Sequence, residues 1–328
     1  MVRTIHISNE EKQIAGHIKA FVNLQNKDNI TRTNTYAQYF KRNPEVKWAF
    51  LASMVSRNAG WNMCDLKGDW FPKILSKELR KRLFLTYERA NWLIFSDAYP
   101  QLYIYELSKS LKQDLTHLLP VFNISSFMSR AWTEFLECGD EENLLISLII
   151  NEQNLIQRPV LESPLYQKEV FNTWLFMLQD WLHFSVVLFP TRKGELYGSS
   201  VHDFKKVDDR IELGKRLAKI LFHPELVNDF IDFSDKVPHT GSRHDYEQFV
   251  FKEKKTDTPT LRSSFPVIQH HRKDRAGWGA TDQQIEKWKK DYKRTLTKIH
   301  INDWYKKKQE QLHAGINLDS MITNFFTK

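Results

Sequence analysis

The chain has 328 residues and a formal charge of +8, with 22 Phe, 11 Tyr and 10 Trp but only 11 Gly and 11 Pro. So few turn-makers exclude a many-stranded sandwich or barrel, and also a collagen-like or low-complexity chain. A composition of 41% hydrophobic and 27% charged residues fits an ordinary globular protein with one large core or two small ones. The charge is uneven: residues 252–310 hold 16 Lys/Arg against 8 Asp/Glu, leaving 32 of each sign elsewhere.

Met1–Lys12 lacks an apolar segment, so no secretory signal is expected there. No window reaches the roughly 20 apolar residues that span a bilayer. Cys64 and Cys138 are too few for a disulfide framework or a tetrahedral zinc site. Both are expected to be reduced, buried or nearly so, in a cytoplasmic protein.

The periodicity is helical nearly throughout. After Pro44, Val46, Phe50 and Met54 place an apolar face on a helix over Val46–Arg57. A helix over Ser76–Phe95 starts with Ser76 as N-cap, Pro100 resets the chain, and a second helix runs over Gln101–Leu118 to Pro120. Ser125–Glu137 is another helix, closed by Gly139. Asp140 caps the next, through Leu144–Ile150 to about Gln157. Tyr166–Leu188 is apolar nearly all round, which predicts a central buried helix. Helical periodicity stops between Pro190 and Val207, a long connection of the kind that is often functional. Asp208–Phe222 and Pro224–Asp235 are helices, residues 236–281 are mostly irregular, and Gln283–Gln311 reads as one basic helix with Ile285, Trp288, Tyr292, Leu296 and Ile299 on its apolar stripe. The fold class expected is mainly α, a multi-helix bundle or orthogonal array with long polar loops. A neutral body over 1–235 is followed by a loop-rich basic region over 236–328, packed on that body.

Two stretches carry a family resemblance. Ser56-Arg57-Asn58-Ala59-Gly60-Trp61-Asn62-Met63 leads to Asp65-Leu66-Lys67-Gly68, and Tyr87-Glu88-Arg89-Ala90-Asn91-Trp92-Leu93-Ile94-Phe95 is followed by Asp97-Ala98-Tyr99-Pro100. Together they resemble a protein family of spore-forming Gram-positive bacteria catalogued as a domain of unknown function. The resemblance covers nearly the whole chain. It implies a bacterial cytoplasmic setting and transfers no catalytic residue.

Four groups of side chains are dense enough in polar atoms to suggest chemistry. Arg57, Asn58, Trp61, Asn62 and Asp65 offer directional donors and a flat stacking surface, suited to a small polar ligand or phosphate. The plainer alternative is a helix end finished by Gly60. His239, Arg243, His244 and Asp245, with His270 and His271, combine acid–base groups with a guanidinium fork, as a phosphate-ester hydrolase needs. Asp114-x-x-His117 and Asp180-x-x-His183 each place two ligand types on one helix face, and Glu88 and Glu152 would complete a carboxylate metal bundle; satisfied core pairs are the commoner use of such residues. Lys287, Lys289, Lys290, Lys293, Arg294 and Lys298 form a basic helix suited to phosphates, while Trp288 and Tyr292 are expected to pack into protein. No phosphate-loop, nucleophile-elbow, zincin or dinucleotide motif is present, and no cofactor is signalled. The charge map favours a helical binding protein whose basic C-terminal region contacts a polyanion, nucleic acid or an acidic protein. A hydrolase built on the His/Arg loops is the alternative, and a metal bundle a more remote one.

Overall fold

The computed structural model describes residues 7–157, 160, 186–200, 206–251, 258–271, 278–290, 296–311 and 314. The fold is mainly α. Helices α1 (Asn9–Gln25), α2 (Asn29–Arg42) and α3 (Lys47–Asp65) open the chain, and short α4 (Phe71–Ile74) leads to the long α5 (Lys77–Leu111). A 3₁₀ segment (Thr116–Phe122) precedes α6 (Ser126–Cys138) and α7 (Glu141–Ile156). Strands β1 (Val186–Pro190) and β2 (Leu196–Ser200) form an antiparallel hairpin. Then follow α8 (Val207–Leu221), α9 (Val227–Lys236), α10 (His244–Val250), α11 (Leu261–Ser264), α12 (Asp282–Lys289) and, last among the described residues, α13 over 302–311.

Local chemistry sets several helix starts. Ser8, Asp28, Ser76, Ser125 and Asp140 each accept a hydrogen bond from a first-turn amide, which satisfies a donor the helix leaves open. Gly139 ends α6 at φ 71, a left-handed value that glycine adopts without strain.

α3 is the axis of the molecule. All of its residues except Lys47 and Val55 are buried. α2 runs antiparallel beside it, as Tyr36 against Trp48, the Ser53 hydroxyl donating to Thr33 O at 3.0 Å and Asn29 donating to Ser56 show. Two cores result. The larger joins α1–α3, α5–α9 and the hairpin. The smaller gathers Ile30, Met63, Cys64, Leu66, Phe71, Leu75, Phe84 and Leu261, with Phe265 and Ile268 against its edge.

Several expectations are corrected. Pro100 does not divide two helices: α5 is continuous for 35 residues, about 50 Å at 1.5 Å per residue. Proline removes one helix hydrogen bond, but Asp97–Leu102 is buried as a block, and that packing outweighs the local loss. The helix predicted to end at Arg57 continues to Asp65, so Gly60 lies inside it. Of the expected central helix Tyr166–Leu188, residues 166–185 lie outside the described residues, and Val186–Leu188 belongs to β1. Of the connection expected between Pro190 and Val207, Leu196–Ser200 is the second strand of a hairpin, and residues 201–205 lie outside the described residues. The basic helix predicted over Gln283–Gln311 ends at Lys289 and helix returns over 302–311; residues 291–295 lie outside the described residues, and 296–301 is not helical. Gly198 N donates to Ile299 O and Ile301 N to Leu196 O, both at 2.9 Å, so this stretch pairs with β2, a tertiary contact that overrides helix propensity. Cys64 is buried as expected, whereas Cys138 is exposed.

Among the described residues no helix is long and apolar enough to cross a membrane.

Candidate functional site

Two of the predicted groups meet. Residues 238–246 wrap against the C-terminal half of α3 and form a buried polar junction with it. Arg243 donates from Nε to both Asp65 oxygens at 2.8 Å and from Nη2 to Asn62 Oδ1 at 3.1 Å. Its Nη1 donates to Tyr246 Oη at 2.6 Å. Tyr246 and Tyr305 share a 2.6 Å hydrogen bond, and Gln309 and Tyr305 both donate to Glu247. A chain of bonds thus runs from α3 through α10 to α13. Burial raises the Asp65 carboxyl while Arg243 opposes it. Burial works against the Arg243 charge too, yet Asp65 and the two phenols hold the guanidinium well above its ordinary value.

Asp245 is the second node. It accepts from Trp61 Nε1 at 3.1 Å, Thr240 N at 3.0 Å and the Thr240 hydroxyl at 2.5 Å. Against the upward push of burial, His239, Thr240 and Trp61 keep it below the usual carboxylate range. His239 lies between Asp245 (Nδ1 to Oδ2, 3.3 Å) and Asn29 (Nε2 to Oδ1, 2.8 Å). The Asn29 amide donates to Ser56 O and Oγ, which turns its carbonyl oxygen to the ring. Nε2 therefore carries a proton, and Nδ1 donates to the Asp245 carboxylate only when the ring is protonated on both nitrogens. Burial pushes the imidazole below its ordinary value.

The rest of the first group is committed in part: Arg57 binds through Nη2 alone, and its buried Nε and Nη1 have no hydrogen-bond partner among the described residues. Arg57 Nη2 donates to Ser234 O at 3.1 Å and Val237 O at 2.9 Å, closing the end of α9, and its guanidinium lies 5.4 Å from the Phe233 ring centre. Burial brings its pKa down to about 10. Asn58 acts as a strand partner for β1: Nδ2 donates to Leu188 O at 2.8 Å and Oδ1 accepts from Leu188 N at 2.7 Å. The plainer expectation, a helix end finished by Gly60, is therefore replaced by a continuing helix whose polar side chains grip three other segments.

Among the described residues, the side chains of the remaining predicted ones take no part in the buried junction. His244 is exposed. His270 packs its ring on Trp92, and His271 O accepts from Arg89 Nη1 at 3.0 Å. Burial first, then Arg89 and Arg32, push His270 down to about 4. Of the metal set, Glu88 pairs with Arg32, His117 with Glu11, and Asp114 accepts from Thr116 N; Asp180 and His183 lie outside the described residues. No group of three His, Cys, Asp or Glu placed to hold a metal occurs among the described residues. Of the basic helix, Lys287 pairs with Asp208 at 2.6 Å, and Lys289 lies 3.9 Å from Glu134 and 5.9 Å from the Phe127 ring centre. Lys290 O accepts from Lys215, and Lys298 takes a left-handed φ of 53. Lys293, Arg294 and Tyr292 lie outside the described residues. Trp288 is buried and donates to Asp208.

Glu152 is half-buried; it accepts from Trp48 Nε1 at 3.2 Å and Gln153 Nε2 at 2.9 Å. Burial raises its pKa from 4.5 to about 7, with Trp48 and Arg210 opposing. A carboxyl with a raised native pKa stabilises the fold at low pH, and that contribution is lost as pH rises from about 4.5 through about 7. Glu152→Gln is accordingly expected to be more stable than the parent by about 1–3 kcal/mol above pH 7 and to match it at pH 4.5. Urea unfolding of both proteins across that interval measures the difference.

The junction also shapes an open cleft. Leu261 N donates to Thr240 O at 2.9 Å, and Thr258 accepts from Ser242 and Arg243. Gly241, at φ +83, lets the chain pass where a Cβ would stand 2.9 Å from both Cys64 Sγ and Leu261 Cβ. These bonds fix the base of the 261–268 segment. Together with Lys27 and Asp28 at the start of α2, and Phe84 and Glu88 on α5, that segment lines a cleft of about 320 Å³. Phe84 and Phe265 stack at 3.8 Å with planes 4° apart. Arg262 pairs with Asp28 at 2.8 Å on the rim. Glu88 is 3% exposed, with Oε2 held by Arg32 at 2.5 Å and Oε1 without a hydrogen-bond partner among the described residues. Burial raises this carboxyl, and Arg32 opposes that shift. Glu88 drew notice in the sequence as an acid within an apolar stretch. Arg32, Asp28, Arg262 and Phe265 did not, because each sits in an unremarkable polar or irregular run.

Fold and site together define a mainly α-helical protein knit by a buried ionic junction beside an open, partly apolar cleft. The chain belongs to the family described as "Protein of unknown function (DUF2515)", whose model matches residues 24–308. It is 47% identical over 306 residues to the "Uncharacterized protein YppC" of Bacillus subtilis (strain 168), an alignment covering 92% of this chain and 94% of that one. No solved structure matches the chain.

Proposed function

We propose that the protein binds a small, largely apolar molecule in the cleft between the start of α2, α5 and the 261–268 segment. The observation that supports this reading is how the cleft is built. It has about 320 Å³ of space, an apolar wall of Phe84, Leu261, Phe265, Pro266, Val267 and Ile268, and a few charged groups at its rim and floor. Small-molecule sites have this size and this mixture of apolar lining with a few placed polar groups.

The side chains suggestive of acid–base catalysis give a hydrolase little support. Both His239 nitrogens face internal partners, and Arg243 is spent on Asp65. A general base needs a free nitrogen within reach of a substrate proton. For the polyanion alternative, charge placement remains the only argument, and Lys287 and Lys289 stand against local acids.

Val267 is 56% exposed, so Val267→Trp fills the cleft mouth without touching the core. A ligand-observed NMR screen with a panel of neutral aromatic and aliphatic fragments is expected to find binders for the parent protein that are lost in Val267→Trp, with the circular dichroism spectrum unchanged. A panel without binders, or binders indifferent to the tryptophan, would remove the proposal.

A further inference from the structure

We infer that Glu88 anchors the ligand of this cleft and selects a flat aromatic molecule that presents a neutral N–H donor; the inference rests on the small-molecule reading above. Glu88 reaches the cleft from α5 with 3% of its surface exposed. Oε2 is occupied by Arg32, while Oε1 has no partner among the described residues. A buried acceptor left unmade is rare in native structures and calls for a specific explanation. A donor entering the cleft would complete it.

The charges around Glu88 decide what kind of donor fits. Arg32, Lys27 and Arg262 supply three cations against the two carboxylates Glu88 and Asp28. His270, pushed to about 4, is neutral at pH 7 and does not alter that count. An ammonium placed on Oε1 would add a fourth cation beside Arg32, and repulsion between like charges grows where water is excluded. A neutral N–H satisfies the same oxygen without that repulsion. The body of the ligand is set by the walls, where the Phe84–Phe265 stack and the side chains of Leu261 and Ile268 favour a planar apolar partner.

Three probes test this on the full-length protein: indole, 1-methylindole, which keeps the shape and loses the donor, and benzylamine, which carries an ammonium. Dissociation constants are measured by chemical-shift titration. Indole is expected to bind about tenfold or more tighter than 1-methylindole, as a hydrogen bond to a charged acceptor allows, and also tighter than benzylamine. In Glu88→Gln the neutral amide oxygen is a weaker acceptor, so the indole to 1-methylindole ratio should fall towards one; should that variant not fold, the ratio in the parent protein still decides. Equal affinities for the two indoles, or tighter binding of benzylamine, overturns the anchor while leaving the cleft as a site. The anchor is overturned in the same way if neither indole binds while other fragments occupy the cleft. If no fragment of any kind binds there, the small-molecule reading itself falls, and the anchor with it.

Discussion

Arg243→Met is expected to lower the unfolding free energy by about 3–5 kcal/mol, read as a shift in the urea midpoint at unchanged slope. The reason lies in what remains behind. Asp65 is buried, and Arg243 is its bidentate partner. Methionine fills the space but leaves a carboxylate enclosed between α3 and α10 with no counter-ion, the case in which removing one member of a buried pair is most damaging. The loss spreads, because Tyr246, Tyr305 and Gln309 are ordered by the same chain of bonds. Asp65→Leu in the Arg243→Met background should recover a large part of the stability, since an apolar pair of similar volume removes both buried charges. A double-mutant cycle therefore separates the ion pair from the packing around it. A cost below about 1 kcal/mol, the range of an exposed pair, would mean that water reaches Asp65 and that the junction is not closed.

How much of this was legible in the sequence depends on whether the signal was local. Ser76, Ser125 and Asp140 announced helix starts because a cap acts within three residues. Gly139 announced a stop for the same reason. The polar density at Arg57–Asp65 and at His239–Asp245 was visible, but the partnership was not: Arg243 meets Asp65 across 178 positions, and Trp61 meets Asp245 across 184. Nothing in either segment's periodicity names the other. Pro100 misled because its local cost is real, while the burial that offsets it comes from other elements. The break after Lys289 was hidden in the same way, since β2 supplies the backbone partners that draw residues 299–301 into extended pairing. The cleft is the least legible feature. Its walls come from residues 27–28, 84–88 and 261–268, and only Glu88 was out of place in its own neighbourhood.

Gly60→Ala tests the junction from its other side, and the expected cost is about 2–3 kcal/mol. In an ordinary helix interior this change stabilises by about 1 kcal/mol, so even the sign is diagnostic. A Cβ at position 60 would stand 2.5 Å from Asn29 Oδ1, 2.7 Å from His239 Nε2 and 2.8 Å from His239 Cε1. These are side-chain atoms, but they cannot swing aside freely. Asn29 is held by Ser56 O and Oγ, and His239 by Asp245. Making room breaks the 2.8 Å bond between them and leaves two buried polar groups without partners. Asn29→Ala removes the closest of the three contacts and opens space beside the His239 ring, so the double variant Gly60→Ala with Asn29→Ala is expected to be less destabilised than the sum of its singles. The His239 Nε2 proton, followed by nitrogen-edited NMR, should broaden or vanish in Gly60→Ala while the Tyr246 and Tyr305 side of the junction is retained. A stabilised Gly60→Ala protein would show that α2 and the 238–246 segment stand further from α3 than the Asn29–His239 bond requires.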